Sequence, residues 1–192
     1  RYWLDSGLFF ACYLNLVGEV LELAPLISFI GRHNSGKTTV LTGVISNLSS
    51  AGYKIALIKH AHHGLEIEAS QDSEILLEAG ADFVMASSPQ LSIQYQRYKE
   101  EPDFAHIIKN IPEDMDLIIV EGFKKEVLPK IEVLRHDIDT TPMLLPQTLA
   151  LISDFPIQTG LPVFDNHDIE AITRFILEQL GGSNSFLTDK SD

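Results

Sequence analysis

The stretch GRHNSGKTTV, Gly31 to Val40, decides how the rest of this chain is read. It fits the spacing G-x-x-x-x-G-K-[S/T]. In that pattern a glycine-rich turn lets backbone N–H groups approach phosphate oxygens, and the following helix N-terminus adds a favourable dipole. The flanks are what this chemistry requires. LISFIG, Leu26 to Gly31, reads as a short, fully apolar strand leading into the turn, and a helix-like stretch follows to Ser50. Lys37 is expected to reach the β- and γ-phosphates of a nucleotide, and the Thr38 hydroxyl to ligate Mg2+. Gly31, Asn34, Ser35, Gly36 and Thr39 complete the expected cradle. His33, inside the loop, reads as a plain solvent-exposed residue.

Working outward, buried runs alternate with helical ones. KIALIKH (Lys54 to His60) reads as a second strand and DSEILLEAGA (Asp72 to Ala81) as a helix capped by Asp72 and stopped by Gly80. DFVMAS and LSIQYQ, separated by Pro89, read as an added strand pair. A helical piece from about Asp103 to Asn110 precedes the strand DLIIVEG, Asp116 to Gly122. KIEVLR (Lys130 to Arg135), LALIS (Leu149 to Ser153) and PVFD (Pro162 to Asp165) read as strands, and HDIEAITRFILEQLGG as an amphipathic helix ending at Gly181. The alternation predicts an α/β fold: a three-layer, doubly wound, mainly parallel sheet of the P-loop NTPase kind, with an added β-strand pair.

Such a nucleotide site also needs a carboxylate near its magnesium. Asp116 and Glu121 lie at opposite ends of one strand, about 16 Å apart at ~3.3 Å per residue, so only one of them reaches the site. Ligands of open α/β sheets sit at the carboxyl ends of the strands, which selects Glu121, as holder of the metal's water shell or orienter of an attacking water. Asp116 is then a solvated strand start. The same rule puts Lys59 and His60, in IKHAHHG, on the ligand side. His60, His62 and His63 invite a metal reading, but no Cys or carboxylate lies within two residues of them. Imidazoles bonding a phosphate fit better.

Composition bounds the function classes. The chain has 192 residues, 45% of them apolar, enough for a sizeable core. Lys and Arg number 14 against 27 Asp and Glu, a net charge of −13, which repels nucleic acid and anionic membrane surfaces. The single Cys12 rules out an internal disulfide and is compatible with a reducing cytoplasm; it reads best as a small buried hydrophobe. SGLFFACYLNLVG, Ser6 to Gly18, is uncharged but too short to cross a bilayer, and lacks the basic flank of a secretory signal. Residues 1–22 are read as an extension that is an extra packed element, the end of a preceding domain, or sequence not native to the domain. Residues 23–182 are read as one nucleotide-binding domain and 183–192 as a frayed tail.

Four segments carry a resemblance: GRHNSGKTT, LIKHAHHG, QDSEILLEAGA and DLIIVEGFKKEVLPKIEVLR. In that order, from about Pro25 to Leu180, the chain resembles the MobB family of molybdopterin-guanine dinucleotide biosynthesis adapters. The resemblance implies a cytoplasmic GTP-binding homodimer with weak Mg2+-dependent hydrolysis. Its implied partners are molybdopterin and the guanylyltransferase that attaches GMP to it. Gly31, Ser35, Gly36, Lys37, Thr38 and Thr39 fall on the family's phosphate loop and Glu121 on its strand-end motif. Asp72 matches an acidic residue of the family that meets Mg2+ or a hydrolytic water, although Gln71 stands where the family has lysine.

The residues themselves say less about guanine, since the base-reading N-K-x-D pattern is absent. Asp154, ending ALISD, either accepts the N1 and N2 hydrogens of guanine or caps a turn ahead of Phe155 and Pro156. No catalytic glutamine or arginine finger is identifiable, so fast hydrolysis is not expected. Lys124, Lys125, Lys130 and Arg135 are read as a basic rim for a pterin phosphate or the partner transferase, and the strand pair as a possible dimer interface. A small-molecule kinase remains a rival, weakened because the five arginines are scattered rather than clustered in a lid. A metal-delivery GTPase is the other rival, suggested by the histidines.

Overall fold

The computed structural model describes residues 12–16, 19–61, 64 and 72–179, with side chains from residue 24 onward. The expectations for the Cys12 side chain, His62, His63, Gln71 and the two chain ends lie outside the described residues. The strands are β1 (Cys12–Leu16), β2 (Glu19–Leu23), β3 (Leu26–Gly31), β4 (Ile55–Lys59), β5 (Phe83–Ser87), β6 (Ser92–Gln96), β7 (Leu117–Glu121), β8 (Lys130–Val133), β9 (Thr148–Ser153) and β10 (Val163–Asp165). The helices are α1 (Lys37–Ser50), α2 (Asp72–Glu78), α3 (Phe104–Ile108) and α4 (Ile169–Gln179). They fall into two compact units, one reaching to His60 and resuming at Asn110, the other Ala61–Lys109.

The first unit is built on a six-stranded sheet of order β10-β9-β8-β3-β7-β4, every pair of it parallel. From β3 the chain adds strands first to one side and then to the other, so the carboxyl end of β3 is the switch point of the sheet. The α/β fold expected from the alternation is therefore the one observed. β1 and β2 form a separate antiparallel pair.

Burial explains why β3 and β7 read as continuous apolar runs. All six residues of β3 and Leu117 to Val120 of β7 are buried, as befits central strands of a parallel sheet. On one face Ile27, Phe29, Ile119 and Ile131 pack with Val40, Leu41, Val44 and Leu48 of α1 and with Ile172 and Ile176 of α4. The spacing 40, 41, 44, 48 lines one side of α1. The two helices meet closely at Gly43, where an added Cβ would stand 2.9 Å from Ile169.

Two residues within these runs correct the sequence reading. Ser28 sits inside the supposedly fully apolar β3, and its hydroxyl donates to the Gly122 carbonyl at 2.9 Å. Lys130 does not belong to a basic rim. It is 1% exposed, and its ammonium donates to the carbonyls of Glu126, Leu128 and Pro146 at 2.7, 2.9 and 3.4 Å. Burial pulls its pKa down, against the opposing field of Glu126. Beside it the buried Glu132 accepts the N–H groups of Met143 and Leu144 at 2.8 and 3.0 Å. Together they fix the loop before β9, where Leu144 and Gln147 take positive φ of 45° and 64°, a conformation that L-residues adopt only under constraint.

The second unit contains α2, the antiparallel β5–β6 pair and α3. Tyr95 donates to Glu74 at 2.9 Å and Arg97 to the Leu77 carbonyl at 2.8 Å, tying the hairpin to α2. Asp72 is the first residue of α2 rather than its cap, where its charge still complements the helix dipole. Gly80, at φ 114°, follows the helix as expected. Asp103 is a true cap: its carboxylate accepts the His106 N–H, which shortens the expected helix to Phe104–Ile108. Some ends shift by a residue. β9 starts at Thr148, and Pro162 precedes β10, giving its carbonyl to Leu151 N.

Candidate nucleotide-binding site

The loop between β3 and α1 is shaped by two glycines. A Cβ on Gly31 would stand 2.4 Å from the Val133 carbonyl and 2.6 Å from Ser35 Oγ, so only glycine fits there. Gly36, at φ 89°, precedes α1 in the left-handed region that glycine enters without cost. Asn34 also takes a left-handed φ of 60°, which Asn tolerates. No side chain caps α1, and its first turn carries no acidic residue. Its leading N–H groups therefore carry the partial positive charge that attracts anions. Thr38 and Thr39 are exposed on that turn.

Lys37 lies half-buried and donates to the Arg32 carbonyl at 2.7 Å. Its pKa is lowered chiefly by burial; Glu121 opposes that shift, while Lys124 and Lys59 reinforce it. Four charged side chains thus share one electrostatic neighbourhood at the carboxyl edge of the sheet. The pairing of the strands explains this: Glu121 of β7 stands opposite Phe29 of β3 on one side and Lys59 of β4 on the other. Lys59 Nζ lies 3.5 Å from Glu121 Oε2, and the glutamate side chain is largely buried at 12% exposed.

Backbone bonds hold that edge. Gly122 donates to the Phe29 carbonyl at 3.0 Å, and its own carbonyl accepts from Ser28. His60 N–H donates to the Glu121 carbonyl at 2.9 Å, while its ring stacks on Phe123 at 4.4 Å between centroids. Phe123 is at φ 49°, one of four non-glycine residues among those described in this region of backbone space. Ser28 and Phe123 were not singled out from sequence. A serine in an apolar strand and an aromatic after Glu-Gly are the signals that mark them.

Gly31 to Thr39, Lys59, His60 and Glu121 are therefore brought to one edge. Asp154 follows β9, two strands from β3, and its Oδ1 accepts the His136 N–H at 2.7 Å. Asp72 belongs to the other unit. Asp116, at the opposite end of β7, accepts the Lys54 N–H at 2.7 Å, so it is a strand-start clamp as well as a solvated charge. On the far side of the loop a cavity of about 10 Å3, room for roughly one water, is lined by Arg32, Ser35, Glu132, Arg135 and Asp139. Arg32 pairs with Asp139 there at 3.0 Å. Among the described residues no group of three or more His, Cys, Asp or Glu side chains is gathered to hold a metal.

A parallel sheet with a glycine-rich loop at its switch point defines the class: an α/β protein of the P-loop NTPase fold. The model of the family "MobB: Molybdopterin guanine dinucleotide synthesis protein B" matches residues 26–154, and the chain belongs to that family. It is 31% identical over 169 residues to the molybdopterin-guanine dinucleotide biosynthesis adapter protein of Escherichia coli K12, covering 84% of this chain and 97% of that one. The adapter protein of the same name from Haemophilus influenzae is 28% identical, over 79% of this chain and 87% of its own. The crystal structure of Bacillus subtilis MobB superposes with a TM-score of 0.67 at 25% identity, covering 82% of this chain and 99% of that chain.

Proposed function

We propose that this chain is an adapter of molybdopterin guanine dinucleotide biosynthesis that binds Mg2+–GTP, hydrolyses it slowly, and assists the guanylyltransferase that attaches GMP to molybdopterin. The observation that carries the nucleotide part is the uncapped, acid-free start of α1 with Lys37 on it and Glu121 across the neighbouring strand. Membership of the family supports the pathway.

The geometry supports the following roles. Backbone N–H groups from Asn34 to Thr39 receive phosphate oxygens, and Lys37 exchanges the Arg32 carbonyl for a phosphate acceptor. Mg2+ keeps several waters and takes only one or two protein ligands beside phosphates, so the absence of a preformed acidic cluster is no obstacle. Thr38 Oγ and Glu121 are the donors suited to it. When bound, the ion neutralises charge on the transferring phosphoryl group. Glu121, held by the Ser28–Gly122–Phe29 bonds, orients water near it. Lys59 and His60 border the phosphates on the β4 side.

The half-buried Lys124 and the exposed Lys125 and Arg135 remain as the cationic rim toward an anionic pterin or the transferase. A homodimer is supported by the β5–β6 pair. Among the described residues no further strand pairs with this two-stranded ribbon, and Phe83 and Met85 on it and Leu91 in its turn are 50%, 57% and 66% exposed. Titration of the purified chain with GTP and with ATP, each with Mg2+, tests the reading by calorimetry. Preferential GTP binding is the expected result. A preference for ATP, or no binding of either, overturns the GTP assignment and favours a kinase reading.

A further inference from the structure

Lys59 and Glu121 form the last pair of the β4–β7 ladder, and β4 is the edge strand of its sheet. A terminal pair on an edge strand is held from one side only, and a sheet opens there first. Just past that pair the His60 N–H donates to the Glu121 carbonyl, and at Ala61 the chain passes into the second unit. This corner nevertheless carries the carboxylate on which the nucleotide reading depends.

What lies beyond the ladder closes it. Gly122 and Phe123 both take positive φ, of 101° and 49°, so the chain turns immediately after Glu121. The turn brings Gly122 so near the end of β4 that an added Cβ would stand 3.1 Å from His60 Cβ. It also lays the Phe123 ring on the His60 imidazole, with 4.4 Å between centroids and 23° between planes. Glycine enters φ 49° without cost, whereas phenylalanine is strained there. A phenylalanine kept in that conformation is kept for its ring. Lys59 and Lys124, which flank the stacked pair in sequence, are the two cations that join burial in lowering the Lys37 pKa, so the stack borders the site.

Resting on the nucleotide reading above, we infer that Phe123 is a positioning residue: stacked on His60, its ring clamps the end of the β4–β7 ladder and so fixes the Glu121 carboxylate at the edge that carries the glycine-rich loop. Loosening the clamp displaces the carboxylate without removing it. The step that Glu121 serves then suffers, while binding through α1 and Lys37 persists.

Two readouts test this, one of them free of nucleotide. Phe123→Gly and Phe123→Asn both tolerate the backbone conformation and remove the ring. In the chain without nucleotide, NMR-detected amide exchange of the His60 N–H is expected to speed up about tenfold in both variants. The Leu151 N–H of β9, bonded to Pro162, keeps its rate. With Mg2+ and GTP, both variants are expected to hydrolyse about tenfold slower in single turnovers and to bind GTP within about threefold of the wild type by calorimetry. Phe123→Tyr, which keeps the ring, stays at the wild-type values in both assays. Glu121→Gln supplies the reference: because Phe123 acts through Glu121, the Phe123→Gly/Glu121→Gln double variant is no slower than Glu121→Gln alone. Thermal melts check that each variant folds. Unchanged His60 exchange, a wild-type hydrolysis rate without the ring, or a further loss on top of Glu121→Gln overturns the inference and leaves the GTP site standing. A wild type that does not bind or does not hydrolyse GTP overturns the nucleotide reading itself, and the positioning role with it.

Discussion

Lys37 and Lys130 are the same side chain put to opposite uses. Both have a pKa lowered by burial, and both donate to backbone carbonyls. Lys37 has one such acceptor, on a loop whose neighbours are exposed and whose helix start is uncapped. Lys130 has three, in a site closed to solvent, and next to it Glu132 is likewise fully engaged with the loop before β9. A lysine with one weakly competing acceptor at an open edge can exchange it for the phosphate of the proposed nucleotide. One whose ammonium is wrapped by carbonyls is a fastener. The difference comes from how far each position lies from solvent.

That contrast breaks if Lys130 proves dispensable. Lys130→Ala leaves three carbonyls, the buried Leu128 one among them, without this donor and removes a packed stem, so urea unfolding is expected to report a loss of about 3 kcal/mol. A loss below about 1 kcal/mol would mean that the 142–147 loop holds itself. Lys37→Ala is the mirror experiment: GTP affinity falls about a hundredfold while the melting temperature stays put. Retained affinity would remove Lys37 from the site. Ser28→Ala sharpens the picture at the Glu121 edge by freeing the Gly122 carbonyl, for about 1 kcal/mol in the same unfolding assay. At the bottom of the scale, Arg174→Ala breaks only the exposed pair with Glu170 one helical turn away, and about 0.3 kcal/mol is expected.

The fold and the glycine-rich loop were legible because they rest on local signals. Fully buried parallel strands read as apolar runs, the loop glycines sit at fixed spacing, and the carboxyl-end rule picked Glu121 over Asp116 before any pairing was known. What misled was the assumption that charge means surface. Lys130 looks like a rim residue in the string KIEVLR, yet alternation alone cannot tell a solvated face from a buried one whose polar groups are satisfied by a distant loop. Ser28 was hidden for the same reason, because its partner, Gly122, is 94 residues away.

From the sequence alone came the class of sheet, the place of the glycine-rich loop at its switch point, and the candidate residues Lys37, Thr38 and Glu121, since each depends on short-range spacing and on hydrophobic period. The tertiary structure alone decided which charges face one another. Register sets Glu121 between β3 and Lys59, and burial turns Lys130 into a structural donor. Contacts of that kind depend on where strands far apart in the chain come to lie, and no local pattern of residues encodes that.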